Sequence, residues 1–230
     1  MQRLRALLTY FTPFEWGLWL LSLSVILGGS LAFGGDGAFS VIASLIGVTA
    51  LIFCAKGNPL GQALCVVFGV LYAIISYAVA YYGEMVTYAG MTVPMAALSL
   101  WAWLKNPYGG KRSEVRVAAL TRWDALLAPT LTLLVTVVFY FVLRALGTAN
   151  LLPSTVSVAT SFLAVYLTFR RSPWFALAYA ANDLVLIVLW VLATLGDPSY
   201  LSVVMCFAAF FLNDVYAFFN WRRLRKKQGQ

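Results

Sequence analysis

Eight long apolar stretches follow one another along the chain, at about residues 14–33, 38–55, 60–82, 85–104, 124–147, 154–170, 174–195 and 199–220. Each is near the length of about 20 residues that a helix needs to cross a bilayer. Short segments rich in turn formers separate them: GGDG, KGNPLG, YYGE, KNPYGGKRSEVR, GTANLLPS, RRSP and GDPS. Glycine and proline there end helices rather than continue them. The runs are too long and uniform for the short alternating strands of an outer-membrane barrel. The pattern therefore predicts an all-α integral membrane protein with eight transmembrane helices.

Composition agrees. The 230 residues are 62% hydrophobic and only 10% charged, with a mean hydropathy of +0.86. Soluble domains carry about a quarter charged residues. The charges also predict an orientation. With the N-terminus cytoplasmic, the segments on that side hold 15 of the 16 basic residues, from Arg3 and Arg5 through Lys56, Lys105 and Arg170 to Lys227; only Arg144 lies opposite. Such a bias fits both termini inside. Trp16, Trp123, Trp174 and Trp221 would then lie at the inner interface, where indoles concentrate. The net charge of +8 is topological on this reading and needs no nucleic-acid partner, although the basic tail has the composition to touch anionic lipid. The first stretch follows a basic n-region but is too long for a signal peptide, so it is expected to remain as an uncleaved span.

Chemistry is sparse. Histidine is absent, which removes the commonest general base and metal ligand. Cys54, Cys65 and Cys206 lie singly in apolar runs and read as small packing residues. There is no GxSxG elbow and no phosphate-binding loop, so an enzyme with Asp183 and Asp214 as catalytic acids is disfavoured. No cofactor is implied.

Shifting the chain by 114 residues superimposes landmarks: KGNPLGQAL falls on RRSPWFAL, Pro59 on Pro173, Ser99 on Asn213 and Asn106 on Asn220. This predicts two three-helix bundles in the same orientation, a 1+3+1+3 architecture. The expected organisation is an extra helix over 1–35, a first bundle over 36–110, a cytoplasmic loop and linker helix over 111–150, a second bundle over 151–222 and a basic tail over 223–230. Parallel repeats of this kind cradle a substrate between the bundles near mid-membrane.

Helical periodicity then selects lining residues. The seventh stretch aligns Tyr179, Asn182, Asp183 and Trp190; the eighth offers Asn213; the fourth offers Tyr88, Thr92, Ser99 and Trp103; the third offers Tyr72. A carboxylate at mid-membrane costs about 2.5–3.5 kcal/mol on insertion scales and is expected to face the bundle interior. The asparagines are expected as ligand contacts, the aspartates as cation attractors or interhelical bonds. Glu84 reads as a solvated loop charge. Aromatic faces with amide and hydroxyl groups suit a flat, hydroxylated and cationic ligand, and without a mid-depth Arg or Lys they suit phosphate badly.

These residues sit in strings that resemble the PnuC family of nicotinamide riboside transporters: NPLGQALCVVFGVLYAIISYAVAYYGEMVTYAGMTVPMAALSLWAWLKNP, SPWFALAYAANDLVLIVLW and FLNDVYAFFNW, together spanning about residues 38–222. The resemblance implies a fold related to the SWEET sugar transporters and uptake of nicotinamide riboside by facilitated diffusion across the bacterial inner membrane. It also implies a homotrimer. Trp174, Asn182 and Asn213 match its motif positions on the last two spans, and Trp103 the end of the fourth. Where relatives carry Gln and Asn on the fourth span, this chain has Thr87, Thr92, Pro94 and Ser99, which leaves thiamine or riboflavin as alternative cargo. Pro94 is expected to break the fourth helix at the gate or the site, since proline cannot donate to the helix ladder.

Overall fold

The computed structural model of the protein describes residues 10–34, 37–78, 82–148 and 150–229, so Arg3 and Arg5 lie outside the described residues. Among these, eight helices are long and apolar enough to span a membrane. They are α1 (Pro13–Phe33), α2 (Ala38–Ala55), α3 (Pro59–Ala78), α4 (Tyr82–Lys105), α5 (Arg122–Ala145), α6 (Leu151–Phe169), α7 (Trp174–Thr194) and α8 (Leu201–Lys227), the last preceded by a 3-10 turn at Pro198–Tyr200. Two differences from expectation stand out. The polar segment after α4 forms a small antiparallel hairpin, β1 (Pro107–Tyr108) with β2 (Lys111–Val115). Helix α8 also runs through the basic tail to Lys227, where Gln228 bonds Val117 N (2.8 Å) and Val115 O (3.1 Å) and so docks the tail on the hairpin.

Helices α2, α3 and α4 pack as one bundle and α6, α7 and α8 as another. The bundles meet along two seams, α2 against α8 and α4 against α6. Helix α1 lies over the first seam, touching α2 and α8, and α5 packs on α6. Leu133, Leu134 and Phe141 on α5 stay exposed, as a lipid-facing helix requires.

The turns that end α2 and α6 match bond for bond. Gly57 N bonds Cys54 O and Arg171 N bonds Thr168 O, both at 2.9 Å; Asn58 N bonds Phe53 O and Ser172 N bonds Leu167 O, both at 3.0 Å. Such bonds satisfy the orphan carbonyls of a helix C-terminus through a left-handed residue. That residue is Gly57 (φ 66°) in one turn and Arg171 (φ 57°) in the other, 114 positions apart. The end of the molecule carrying these turns, the hairpin and most described cations is the basic end.

Its interior is sealed by indoles. Trp103 donates to Thr168 O (3.0 Å) across the α4/α6 seam, and Trp221 donates to Cys54 O (2.8 Å) across the α2/α8 seam. Their rings lie 5.3 Å apart, and both side chains are fully buried. This corrects the expectation that Trp221 is an interfacial anchor: it is fully buried, and its N–H is taken by the Cys54 carbonyl of the neighbouring bundle. Trp123 and Trp174 are exposed as expected. The donors are 118 positions apart while their acceptors keep the 114 spacing, so the last helix of each bundle is offset by a further turn. The Ser99–Asn213 and Asn106–Asn220 pairings therefore do not hold in the structure.

Candidate functional site

A cavity of about 170 Å³ lies between the bundles, walled by α2, α3, α4, α6, α7 and α8. It runs from Cys54, Gln62 and Phe175, above the indole seal, to Gly83, Glu84 and Thr148 at the opposite end. Close helix approach shapes both ends. A methyl group at Gly61 would meet the Cys54 nitrogen at 2.5 Å, and one at Gly83 would meet Thr148 Oγ1 at 2.5 Å. At Gly61 the clash is with backbone, so only glycine fits without moving α2; at Gly83 it is with the Thr148 and Leu143 side chains, which would have to shift.

Eight of the ten residues selected from the sequence line this cavity: Tyr72, Tyr88, Thr92, Ser99, Tyr179, Asn182, Asp183 and Trp190. Asn182 is the best oriented. Its Oδ1 faces the hydroxyls of Ser157 (3.1 Å), Thr160 (2.8 Å) and Ser161 (3.0 Å) on α6. Those donors occupy the oxygen and leave the amide Nδ2 hydrogens as the part available to a ligand. Ser99 Oγ is buried with no hydrogen-bond partner among the described residues and lies on the cavity wall.

The other two do not line the cavity. Asn213 faces α1, donating to Ser22 Oγ and Ala209 O, both at 2.8 Å, so it bonds helices together rather than meeting a ligand. Trp103 lies beneath the cavity in the indole seal. On α8 the neighbouring residue, Asp214, turns into the cavity instead. Adjacent residues on a helix point about 100° apart, so only one of an Asn–Asp pair faces a given wall. This corrects the expectation that Asn213 meets the ligand: α1 covers its face, which the sequence of α8 does not reveal.

Helix α4 carries a local irregularity. Tyr88–Thr92 forms a π-helical turn, closed by Val93 N bonding Tyr88 O, and Thr92 Oγ1 reaches Thr87 O at 3.4 Å. Pro94 follows at once and cannot donate to the preceding turn. Pi bulges concentrate at functional sites, and here the bulge presents Tyr88 and Thr92 to the cavity. Tyr88 packs on Tyr72 (ring centroids 4.8 Å apart) and Phe68 (6.0 Å), and Phe68 on Phe210 (6.2 Å), building an aromatic wall.

The sequence reading missed Phe68, Phe210, Ser157 and Ser161 on the lining, and the thiol of Cys54, to which Gln62 Nε2 comes within 3.2 Å. It also set Glu84 in a solvated loop, whereas Glu84 begins α4 and lines the cavity. Among the described residues, no Lys or Arg lines the cavity.

A family model described as a nicotinamide mononucleotide transporter matches residues 37–223. A curated protein of Neisseria mucosa named nicotinamide riboside transporter PnuC is 29% identical over 231 residues, which cover 98% of this chain and 87% of that protein. One of the same name from Haemophilus influenzae is 22% identical over 199 residues, covering 84% and 82%. A crystal structure described as the vitamin B3 transporter PnuC is similar with a TM-score of 0.80 at 26% identity, covering 95% of this chain and 94% of that one.

Proposed function

The chain belongs to the nicotinamide mononucleotide transporter family, and we propose that its cargo is the nucleoside, nicotinamide riboside, taken up by facilitated diffusion. The observation that carries this reading is the cavity lining. Side-chain recognition of phosphate relies on Arg or Lys, and among the described residues no Arg or Lys lines this cavity. Aromatic faces, the Asn182 amide and the Ser99 hydroxyl suit a flat ring and ribose hydroxyls instead.

The matched turns of α2 and α6 support two bundles of like orientation that rock about their seams to alternate access. The basic end is cytoplasmic on this reading, in the bacterial inner membrane, and the indole seal closes the cavity on that side. A homotrimer belongs to the reading as an expectation, checked by mass in lipid nanodiscs. Thiamine is the second reading, because the aspartates of the cavity also suit a thiazolium cation.

The test is uptake of labelled nicotinamide riboside into vesicles holding the purified protein, without ATP or an ion gradient. Asn182→Ala lowers the affinity by roughly two- to tenfold, the range for one neutral hydrogen bond. Unchanged uptake by that variant removes Asn182 from the site.

A further inference from the structure

Asn182 lies on α7, lines the cavity and is 6% exposed. Ser157, Thr160 and Ser161 share one face of α6 at helical spacing. All three hydroxyls reach the Asn182 Oδ1, at 3.1, 2.8 and 3.0 Å. Thr160 Oγ1 also lies within reach of Val156 O (3.0 Å) and Ser157 O (3.1 Å). The serine hydroxyls meet no other acceptor among the described residues, so their protons fill the two lone pairs of Oδ1. Reversing the amide would strand both protons, which fixes its sense. The Nδ2 group that then faces the cavity donates to none of the described residues. Asn213 is held the opposite way, by its Nδ2, which donates to Ser22 Oγ and Ala209 O.

We propose that Ser157, Thr160 and Ser161 are positioning residues: by holding Oδ1 they make Asn182 a fixed donor, which selects a cargo carrying a carbonyl oxygen. This rests on the cargo reading above and names the group of that cargo that is read. A ribose hydroxyl both donates and accepts, so it would bond the amide in either sense. Fixing the sense discriminates only for an atom that has a single role. In a nicotinamide nucleoside that atom is the carboxamide oxygen, since the ring nitrogen carries the sugar and has no lone pair to offer. The Asn182 amide then goes to the ring substituent, and the Ser99 hydroxyl is left for the ribose. An analogue without the acceptor leaves the buried Nδ2 unpaired and binds less well for that reason.

The experiment compares two pyridinium ribosides of equal charge and similar shape as competitors of labelled nicotinamide riboside on the purified protein. In one an acetyl group replaces the carboxamide and keeps the carbonyl oxygen; in the other an isopropenyl group puts carbon there. The wild type prefers the acetyl compound by about fivefold, the worth of one neutral hydrogen bond. Ser157→Ala and Ser161→Ala each keep most of that preference, because Thr160 takes the freed lone pair. The triple variant Ser157→Ala, Thr160→Val, Ser161→Ala binds the two within about twofold. Lost packing alone would weaken both compounds and leave their ratio unchanged, so a triple variant with the wild-type ratio overturns the proposal. A single variant that abolishes the preference also overturns it, since that hydroxyl then meets the ligand itself. Asn182→Leu gives a second route should the triple variant not fold: it too binds the two within about twofold, and a wild-type ratio there refutes Asn182 as the donor. A wild type without preference overturns the proposal alone, whereas a wild type that does not bind nicotinamide riboside overturns the cargo reading.

Discussion

Glu15 and Asp124 begin alike. Each stands three residues after a threonine that caps its helix, Thr12 before α1 and Thr121 before α5, and each closes a capping box with that threonine. Each is buried, and each binds one cation and one tyrosine hydroxyl. Glu15 takes Lys56 (2.9 and 3.0 Å) and Tyr216 (2.7 Å); Asp124 takes Arg170 (2.6 and 2.9 Å) and Tyr166 (2.9 Å). Lys56 and Arg170 are themselves 114 positions apart, in the matched turns. The difference is where the partners live. Tyr166 and Arg170 both belong to the α6 end, so Asp124 fastens α5 to one helix. Lys56 follows α2 and Tyr216 lies on α8, so Glu15 fastens α1 to both bundles across their seam. The same local device thus attaches a helix in one half and straps a seam in the other. Bundles that rock would keep the strapped seam together at the basic end, while among the described residues the α4/α6 side there is joined by the Trp103 bond to Thr168 O and by Ala118 N bonding Arg171 O.

The largest effect that separates the two devices is expected from Glu15→Gln. It leaves Lys56 unpaired, and its cost is about 3 kcal/mol, the lower bound for orphaning a buried charge, because the Lys56 side chain is 18% exposed. Denaturation in detergent measures the loss, and uptake falls with it since both bundles lose the strap. Asp124→Asn costs less, about 1–2 kcal/mol, since the Arg170 side chain is 35% exposed and water can take over part of the pairing. Equal transport defects in the two variants would break the comparison. A smaller effect separates the seams. Trp103→Phe and Trp221→Phe each remove one indole N–H bond worth about 1 kcal/mol of stability. Trp103→Phe is expected to speed opening of the basic end, seen as faster thiol labelling of Cys54 from that side, while Trp221→Phe leaves it nearly unchanged because Glu15 still holds its seam. The smallest effect tests the turns. Gly57→Ala destabilises by about 1–2 kcal/mol at its positive φ, whereas Arg171→Gly relieves a similar strain and raises the melting temperature.

The eight helices were legible because each is a long apolar run bounded by turn formers, and the matched turns were legible as KGNP and RRSP. The hairpin after α4 was not, since its strands are too short for an alternating pattern to register. Within the cavity, Asn182 was legible from its depth and its phase with Tyr179 and Trp190 on one helix. Asn213 was not. Its environment is fixed by Ser22 on α1, a contact between residues 191 positions apart that helical phase within α8 cannot encode. Trp103 failed for a similar reason: the carbonyl that it bonds belongs to α6. Periodicity thus predicts which residues share a face, and it is packing between distant helices that decides which face meets the cavity.

On the proposed function the cavity takes a nucleoside and not its phosphate ester. The most direct measurement is equilibrium binding of nicotinamide riboside to the purified protein with nicotinamide mononucleotide as competitor, at fixed salt. Unlabelled riboside is expected to displace the bound ligand and the mononucleotide to displace little of it at the same concentration. Equal displacement by the two would overturn the nucleoside reading, since no Lys or Arg among the described residues lines the cavity to hold the phosphate.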